Sequence, residues 1–182
     1  LLREGWIVAI KGLGGFHLAV EAVQEEAVRR LRQRKHREEK PLALMCSDPV
    51  RVKEFARIEA EEEAVLASRE RPIVLLKKRE PSLIAPAVAP GNQYYGVMLP
   101  YTPLHYLLLD HGFLALVLTS GNLSEEPICI DNEEAFVRLK GIADFFLVHD
   151  RDILVRCDDS LAAVVAGEES LMRRSRGYVP KP

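Results

Sequence analysis

Short apolar runs, separated by polar stretches marked with glycine and proline, set the elements expected along this chain. "GWIVAIKG" (5–12) reads as a strand entering a glycine turn at Gly12–Gly15. From Glu21 to about Arg34 the composition is helical, with Ala22, Val23, Ala27, Val28 and Leu31 as an apolar face. "PLALMCS" (41–47) is a short apolar strand. Asp48-Pro49 then supplies an N-cap and a proline at the first helical position, opening a helix over "VRVKEFARI" (50–58). A second helix follows over "EAEEEAVLAS" (59–68). "RPIVLLKK" (71–78), "YYGVML" (94–99) and "FLALVLT" (113–119) have the pattern of buried strands.

Thr102-Pro103 opens a helix over "LHYLLLDHG" (104–112), which Gly112 closes, and Asp131 caps another over "NEEAFVRLKGI" (132–142). "DFFLVH" (144–149), "ILVR" (153–156) and "LAAVV" (161–165) read as short strands, with "SLMRRS" (170–175) as a last edge strand. About seven strands mixed with four or five helices, not strictly alternating, predict an α/β (α+β) domain: a twisted mixed β-sheet with flanking helices. No repeat or interior linker divides residues 1–182, so one domain is expected. The missing initiator methionine and the ending "YVPKP" lead us to expect a domain cut from a longer chain.

Charge is near balance overall, with a formal net charge of −2, so nothing global favours nucleic acid or an anionic membrane. The positive charge is local. In "RQRKHREEKPLALM" (32–45), Arg32, Arg34, Lys35, Arg37 and Lys40 crowd around His36 just before an apolar run. Lys40 precedes a proline and is pushed into extended geometry. If residues 35–37 are extended too, Lys35 and Arg37 point the same way, and Lys40 stands at the mouth of a strand. Such a trio suits a polyphosphate clamp, with an arginine fork and lysine point charges. A charge pair at about 4 Å is worth roughly 1 kcal/mol in water but roughly 4 at an effective dielectric of 20, so the trio favours a pocket over an open surface. Spacing alone leaves a solvated helix end, balanced by Glu38 and Glu39, as an equal alternative. Arg32 and Arg34 are expected to remain surface charge on the helix.

Four further stretches carry candidate chemistry. "KGLGGFH" (11–17) is glycine-rich but matches no phosphate-loop pattern; it is either a tight turn between strands or a place where Lys11 and freed backbone N–H groups meet an anion. "TSGNLSEEP" (119–127) leaves a strand at its carboxyl end, where open α/β sheets bind ligands, and Ser120, Asn122 and Ser124 suit a phosphate or ribose. It is equally an ordinary polar turn. In "RCDDS" (156–160), Asp158 or Asp159 could help hold a Mg²⁺ carried by a nucleotide, or serve a structural turn. "RRSRG" (173–177) adds Arg173, Arg174 and Arg176 as a second basic cluster. His17, His36, His105, His111 and His149 have no ligand spacing, no metal site is expected, and no Ser/His/Asp or Cys/His order points to a covalent nucleophile.

Hydrophobic residues make up 48% and charged residues 29%, which fits a folded globular protein and argues against disorder. No run approaches the roughly 18 apolar residues of a membrane span, and the first residues lack the pattern of a signal peptide. Three widely spaced cysteines, Cys46, Cys129 and Cys157, fit a reducing cytoplasm better than a disulfide framework.

In this order the pieces resemble the YrdC-like domain: a glycine-rich turn after the first strand, K-x-R-x-x-K-P, a "TSGN" loop, a serine-bearing strand and a closing basic segment. "AIKGLGGFHLAVEA", "YTPLHYLLL", "LTSGNLSEEPI" and "RRSRGYVP" narrow this to the YrdC-like domain of the HypF carbamoyltransferases of NiFe-hydrogenase maturation. The resemblance spans essentially the whole chain. It implies a concave sheet that binds ATP with Mg²⁺ and joins carbamate to the α-phosphate, giving carbamoyl-adenylate and pyrophosphate, with carbamate or carbamoyl phosphate as the second substrate. It also implies partner domains in a full-length chain and transfer of the carbamoyl group to HypE. Carried over residue by residue, Lys35, Arg37 and Lys40 would face the triphosphate. Ser120 and Asn122 would contact the nucleotide with Lys11 nearby, and Ser160 with Arg174 or Arg176 would lie near the phosphates.

Two rivals remain. Relatives that make threonylcarbamoyl-adenylate for tRNA modification carry P-T-D-T and V-R-x-P motifs, which here read "KGLG" and Val97-Met98-Leu99-Pro100, without the arginine suited to a carboxylate. An RNA-binding module would need stacking aromatics interleaved with the basic residues, and the acidic 59–64 stretch argues against a broad basic face. Lys35→Ala and Arg37→Ala are each expected to weaken ATP binding while leaving the thermal melt nearly unchanged.

Overall fold

A computed structural model describes residues 1–123 and 126–180; Ser124, one of the candidate hydroxyls, lies outside the described residues. Among the described residues, nine strands form one mixed sheet: β1 (Val8–Lys11), β2 (Phe16–Glu21), β3 (Ala43–Met45), β4 (Ile73–Lys77), β5 (Tyr94–Met98), β6 (Leu116–Ser120), β7 (Phe145–Leu147), β8 (Leu161–Val165) and β9 (Glu168–Arg173). Their order across the sheet is β7-β1-β2-β6-β3-β5-β4-β8-β9. The expected α/β (α+β) class and mixed sheet hold, but with nine strands rather than seven.

Two sequence expectations change. Phe16–Glu21 is a strand, paired antiparallel with β1 and β6, so helix α1 starts at Glu25 rather than Glu21. All six residues of β2 are buried; Phe16, Leu18 and Val20 face the helices, while His17, Ala19 and Glu21 lie on the other face. "ILVR" is not a strand. Leu154 and Val155 are among the most exposed apolar residues, and residues 153–156 belong to a connection between β7 and β8.

Helices α1 (Glu25–Lys35), α2 (Pro49–Val52), α3 (Ala60–Ala67) and α5 (Asn132–Arg138) cover one face of the sheet. There Val28 and Leu31 pack with Val52, Phe55, Leu66 and Ala135 over strand residues such as Leu18, Val74 and Val117. The opposite face carries α4 (Pro103–Leu109), with Leu109 and Phe113 set against Ile10, Met45, Met98 and Leu118. The predicted caps form: Asp48 Oδ1 accepts from the Arg51 N–H at 2.9 Å, Thr102 Oγ1 from His105 at 3.3 Å, and Asp131 Oδ1 from Glu134 at 3.0 Å. The helix expected over 50–58 is confined to Pro49–Val52. Acidic Glu25 and Glu26 open α1 while Arg32, Arg34 and Lys35 close it, matching its dipole.

The connection from β7 to β8 runs back across the β1–β2 turn, where the Cys157 N–H donates to the Gly14 carbonyl at 3.0 Å. A Cβ on Gly14 would stand 2.5 Å from the Cys157 carbonyl oxygen, so the turn needs glycine for close approach rather than for an unusual φ. Gly14→Ala should lower stability by about 1–3 kcal/mol, as overpacking does. A thermal melt unchanged from the parent would refute this.

Candidate functional site

The cationic stretch and the Ser120–Asn122 loop meet at the carboxyl end of β6. Helix α1 runs through Lys35, and His36 caps it in the left-handed conformation at φ 51°, so residues 35–37 are not extended. Lys35 and Arg37 nevertheless converge. The Lys35 ammonium is almost fully buried and donates to the Ser120 carbonyl at 2.7 Å and to Asn122 Oδ1 at 2.7 Å. Ser120 Oγ donates to the same Asn122 Oδ1 at 2.7 Å. Arg37 donates through Nη1 to Thr119 Oγ1 at 3.1 Å and through Nη2 to the Pro41 carbonyl at 2.6 Å. Lys40 is exposed at the mouth of β3.

Like charges crowd here. Burial and the Arg37 guanidinium push the Lys35 ammonium down to about 7. Arg37 is lowered in turn by burial, by Arg32 and by Arg173, so the electrostatic field of the second basic cluster reaches the first. Cations held together at the end of a strand favour an anion that brings the counter-charge with it.

The closing basic segment is pinned rather than free. Ser160, fully buried, donates from Oγ to the Arg176 carbonyl at 2.9 Å and accepts from the Ser175 N–H at 2.7 Å. Arg176 donates to Asp159 Oδ1 at 2.8 Å and to the Glu70 and Arg71 carbonyls, with its guanidinium 3.5 Å from the centre of the Tyr101 ring. The other Asp159 oxygen lies 3.5 Å from His17 Nε2. Burial alone would raise the Asp159 carboxyl, but His17 and Arg176 outweigh it and hold it well below the ordinary carboxylate range. His105 sits edge-on to Tyr101 and His17, and burial holds its imidazole down at about 3, neutral at working pH.

Arg173 donates to the Asp159 carbonyl, and exposed Arg174 to the Tyr178 carbonyl. Lys11, almost fully buried, donates to the His149 carbonyl at 3.1 Å. Lys35, Ser120 and Asn122 are thus directly linked, and Arg37 bonds the adjoining Thr119. Ser160 and Arg176 belong to a neighbouring buried network, and Lys11 is held by the 149 loop. Grooves of about 740 and 640 Å³ lie elsewhere, beside α1 and α4.

Two expectations from the basic run are corrected. Arg32 is buried and its guanidinium donates to five backbone carbonyls, those of Ala87, Val88, Arg37, Glu38 and Lys40. Arg34 bonds Asp144 Oδ1 at 2.6 Å and the Ile142 carbonyl. Neither is loose surface charge. A signal was present for Arg32 and Lys35: Val28, Leu31, Arg32 and Lys35 follow the i, i+3, i+4, i+7 spacing of a buried helical stripe.

The family model for Sua5, YciO and YrdC, described as telomere recombination, matches residues 1–175. The chain belongs to the Sua5/YciO/YrdC family. As a member of that family it is 51% identical to the carbamoyltransferase HypF of Synechocystis sp., over the whole chain and 24% of the relative. It superposes on a crystal structure of full-length HypF, in the phosphate- and nucleotide-bound form, with a TM-score of 0.96. That match has 54% identity and covers the whole chain and 29% of the other. Sua5 of P. abyssi complexed with L-threonine shares the fold alone, with a TM-score of 0.82 at 20% identity over 96% of this chain and 52% of the other. The chain thus matches the YrdC-like domain of HypF and spans about a quarter of the length of the curated relatives.

Proposed function

We propose that this YrdC-like domain binds ATP and forms carbamoyl-adenylate from carbamate, as one step of carbamoyl transfer. The observation that carries the reading is the meeting of Lys35 with the Ser120–Asn122 loop and of Arg37 with the adjoining Thr119, under the field of Arg173. Its support from relatives is the high identity to HypF carbamoyltransferases and to the HypF structure described as nucleotide-bound.

In this reading a carbamate oxygen attacks the α-phosphorus and the bond to the bridging oxygen breaks, so pyrophosphate leaves with its electron pair. No protein nucleophile is required. The protein positions the attacking oxygen and stabilises charge on the phosphates and the leaving group. Arg37 and Lys40 face the triphosphate, Lys35 adds charge while holding the Ser120–Asn122 loop, and that loop contacts the nucleotide. Arg174 lies near the phosphates, Lys11 supports the glycine turn, and Ser160 and Arg176 set the closing basic segment. Asp159 directs both oxygens at protein partners, so a Mg²⁺ would be held by the phosphates it accompanies and would neutralise part of their charge.

In the whole protein we assign the later transfer to other domains of the HypF chain, with HypE as acceptor, in the cytoplasm. Among the described residues no helix is long and apolar enough to cross a membrane. The deciding assay is pyrophosphate release from ATP, supplied either with carbamoyl phosphate, or carbamate made from bicarbonate, or with threonine plus bicarbonate. Release with the carbamate sources is expected. Release with threonine alone would assign the domain to threonylcarbamoyl-adenylate chemistry instead.

A further inference from the structure

The guanidinium of Arg32 has five N–H donors, and five backbone carbonyls receive them. Nε donates to Ala87, Nη1 to Arg37 at 2.9 Å and Glu38 at 3.1 Å, and Nη2 to Lys40 at 3.0 Å and Val88 at 3.1 Å. Three of these acceptors lie in the 37–40 loop, and two lie in the 86–88 turn. Glu25 fixes the same turn from the start of α1, accepting from the Ala87 N–H at 3.0 Å. The Val88 carbonyl also accepts from the Leu42 N–H at 2.9 Å, at the entry to β3. The loop that carries Arg37 and Lys40 is therefore fastened between α1 and the 86–88 turn through one side chain.

We infer that Arg32 is the positioning residue for the phosphate-facing cations, fixing the 37–40 loop so that Arg37 and Lys40 are presented together. The inference rests on the nucleotide reading above. A planar fork with five donors spans carbonyls on two separate segments; a lysine ammonium has three donors at one point and cannot reach them all. Arg37 fastens the same loop from the other side, donating to the Lys40 and Pro41 carbonyls, but it has no bond to the 86–88 turn. With Arg32 gone, the loop keeps its own closure and the Arg37 bond to Thr119 on β6, but loses the side-chain fork that ties residues 37, 38 and 40 to the 86–88 turn.

The groove of about 740 Å³ beside α1 is lined by Arg32 with Gln33, Ala87 and Ala89, so a small cation in solution can reach the space a truncated Arg32 would leave. This permits a test that separates positioning from folding. ATP and adenosine affinities are measured for the parent, Arg32→Ala and Arg32→Lys, with and without low-millimolar methylguanidinium, alongside thermal melts. The parent should bind ATP more tightly than adenosine; if it binds no ATP, the nucleotide reading itself falls, whatever the variants do.

Given parent binding, Arg32→Ala should lose about tenfold or more in ATP affinity with adenosine affinity unchanged, and methylguanidinium should restore most of the loss. Arg32→Lys should fall between the two. Parental ATP affinity in either folded variant would overturn the inference, as would equal losses for ATP and adenosine. If Arg32→Ala does not fold, Arg32→Lys decides by the same ATP-to-adenosine comparison. Failure of both to fold would assign Arg32 to the core and overturn the inference as well.

Discussion

Lys35→Met is expected to weaken ATP binding by about 10- to 100-fold and, unlike a surface lysine, to lower the thermal melt as well. The buried ammonium donates to the Ser120 carbonyl, to Asn122 Oδ1 and to the Asn122 carbonyl; with methionine the first two keep the Asn122 N–H and the Ser120 hydroxyl, and the Asn122 carbonyl loses its donor. Unsatisfied buried acceptors cost about 1–3 kcal/mol, or roughly 3–10 °C for a chain of this size. This replaces the expectation, drawn from the sequence, of an affinity loss with no change in melt. A variant that melts with the parent and binds ATP as the parent does would remove Lys35 from both roles.

The same residue gives a pH dependence with a definite sign. Its folded value of about 7 lies below the ordinary 10.5 of a lysine, because burial and Arg37 disfavour the charge. Between those values the unfolded chain binds the proton and the folded chain does not, so this group adds stability as pH rises through that window and none below it. Anion binding runs the other way. ATP affinity should fall as pH rises through about 7, with proton uptake on binding above it, and both effects should be absent in Lys35→Met. Calorimetry in buffers of different ionisation enthalpy measures the uptake directly.

How much of this was legible in the sequence depends on how far each signal reaches along the chain. The "TSGN" loop and the K-x-R-x-x-K spacing are local, and the two do meet, Lys35 at Ser120 and Asn122 and Arg37 at Thr119. Strand β2 has a period-two pattern, Phe16, Leu18 and Val20 against His17, Ala19 and Glu21, but its end runs without a proline or glycine into the apolar face expected of α1, so the sequence does not mark the boundary at Glu25. Arg32 is not legible because charge normally marks the solvent face of a helix, whereas here three acceptors come from the 37–40 loop and two from a turn more than fifty residues away. The network of His17, Tyr101, Asp159 and Arg176 has no spacing signal at all. Its members are brought together only when the connection from β7 to β8 crosses the glycine turn.

That network sets the second large expectation, a loss of about 3–5 kcal/mol in Asp159→Ala. Asp159 and Arg176 are paired at 2.8 Å with side chains only 12% and 11% exposed, so removing the carboxylate leaves a guanidinium buried against Tyr101 without its counter-charge. For a domain of this length the melt should drop by roughly 6–20 °C. A double variant, Asp159→Ala with Arg176→Met, should recover a large part of the loss, because no charge is then left buried. The depressed carboxyl also fixes the acid limb. Its contribution is fully present above the unfolded carboxylate value of about 3.9 and disappears only as pH falls through the lower folded value. The gap between parent and Asp159→Ala should therefore stay constant from neutral pH down to about 4 and narrow below it. The Ser160 bonds to residues 175 and 176 and the Arg173 bond to the Asp159 backbone carbonyl survive the substitution, so the single variant should lose stability more than ATP affinity. A single variant melting with the parent, or a double variant less stable than the single, would show that the pair does not hold this edge of the sheet in place.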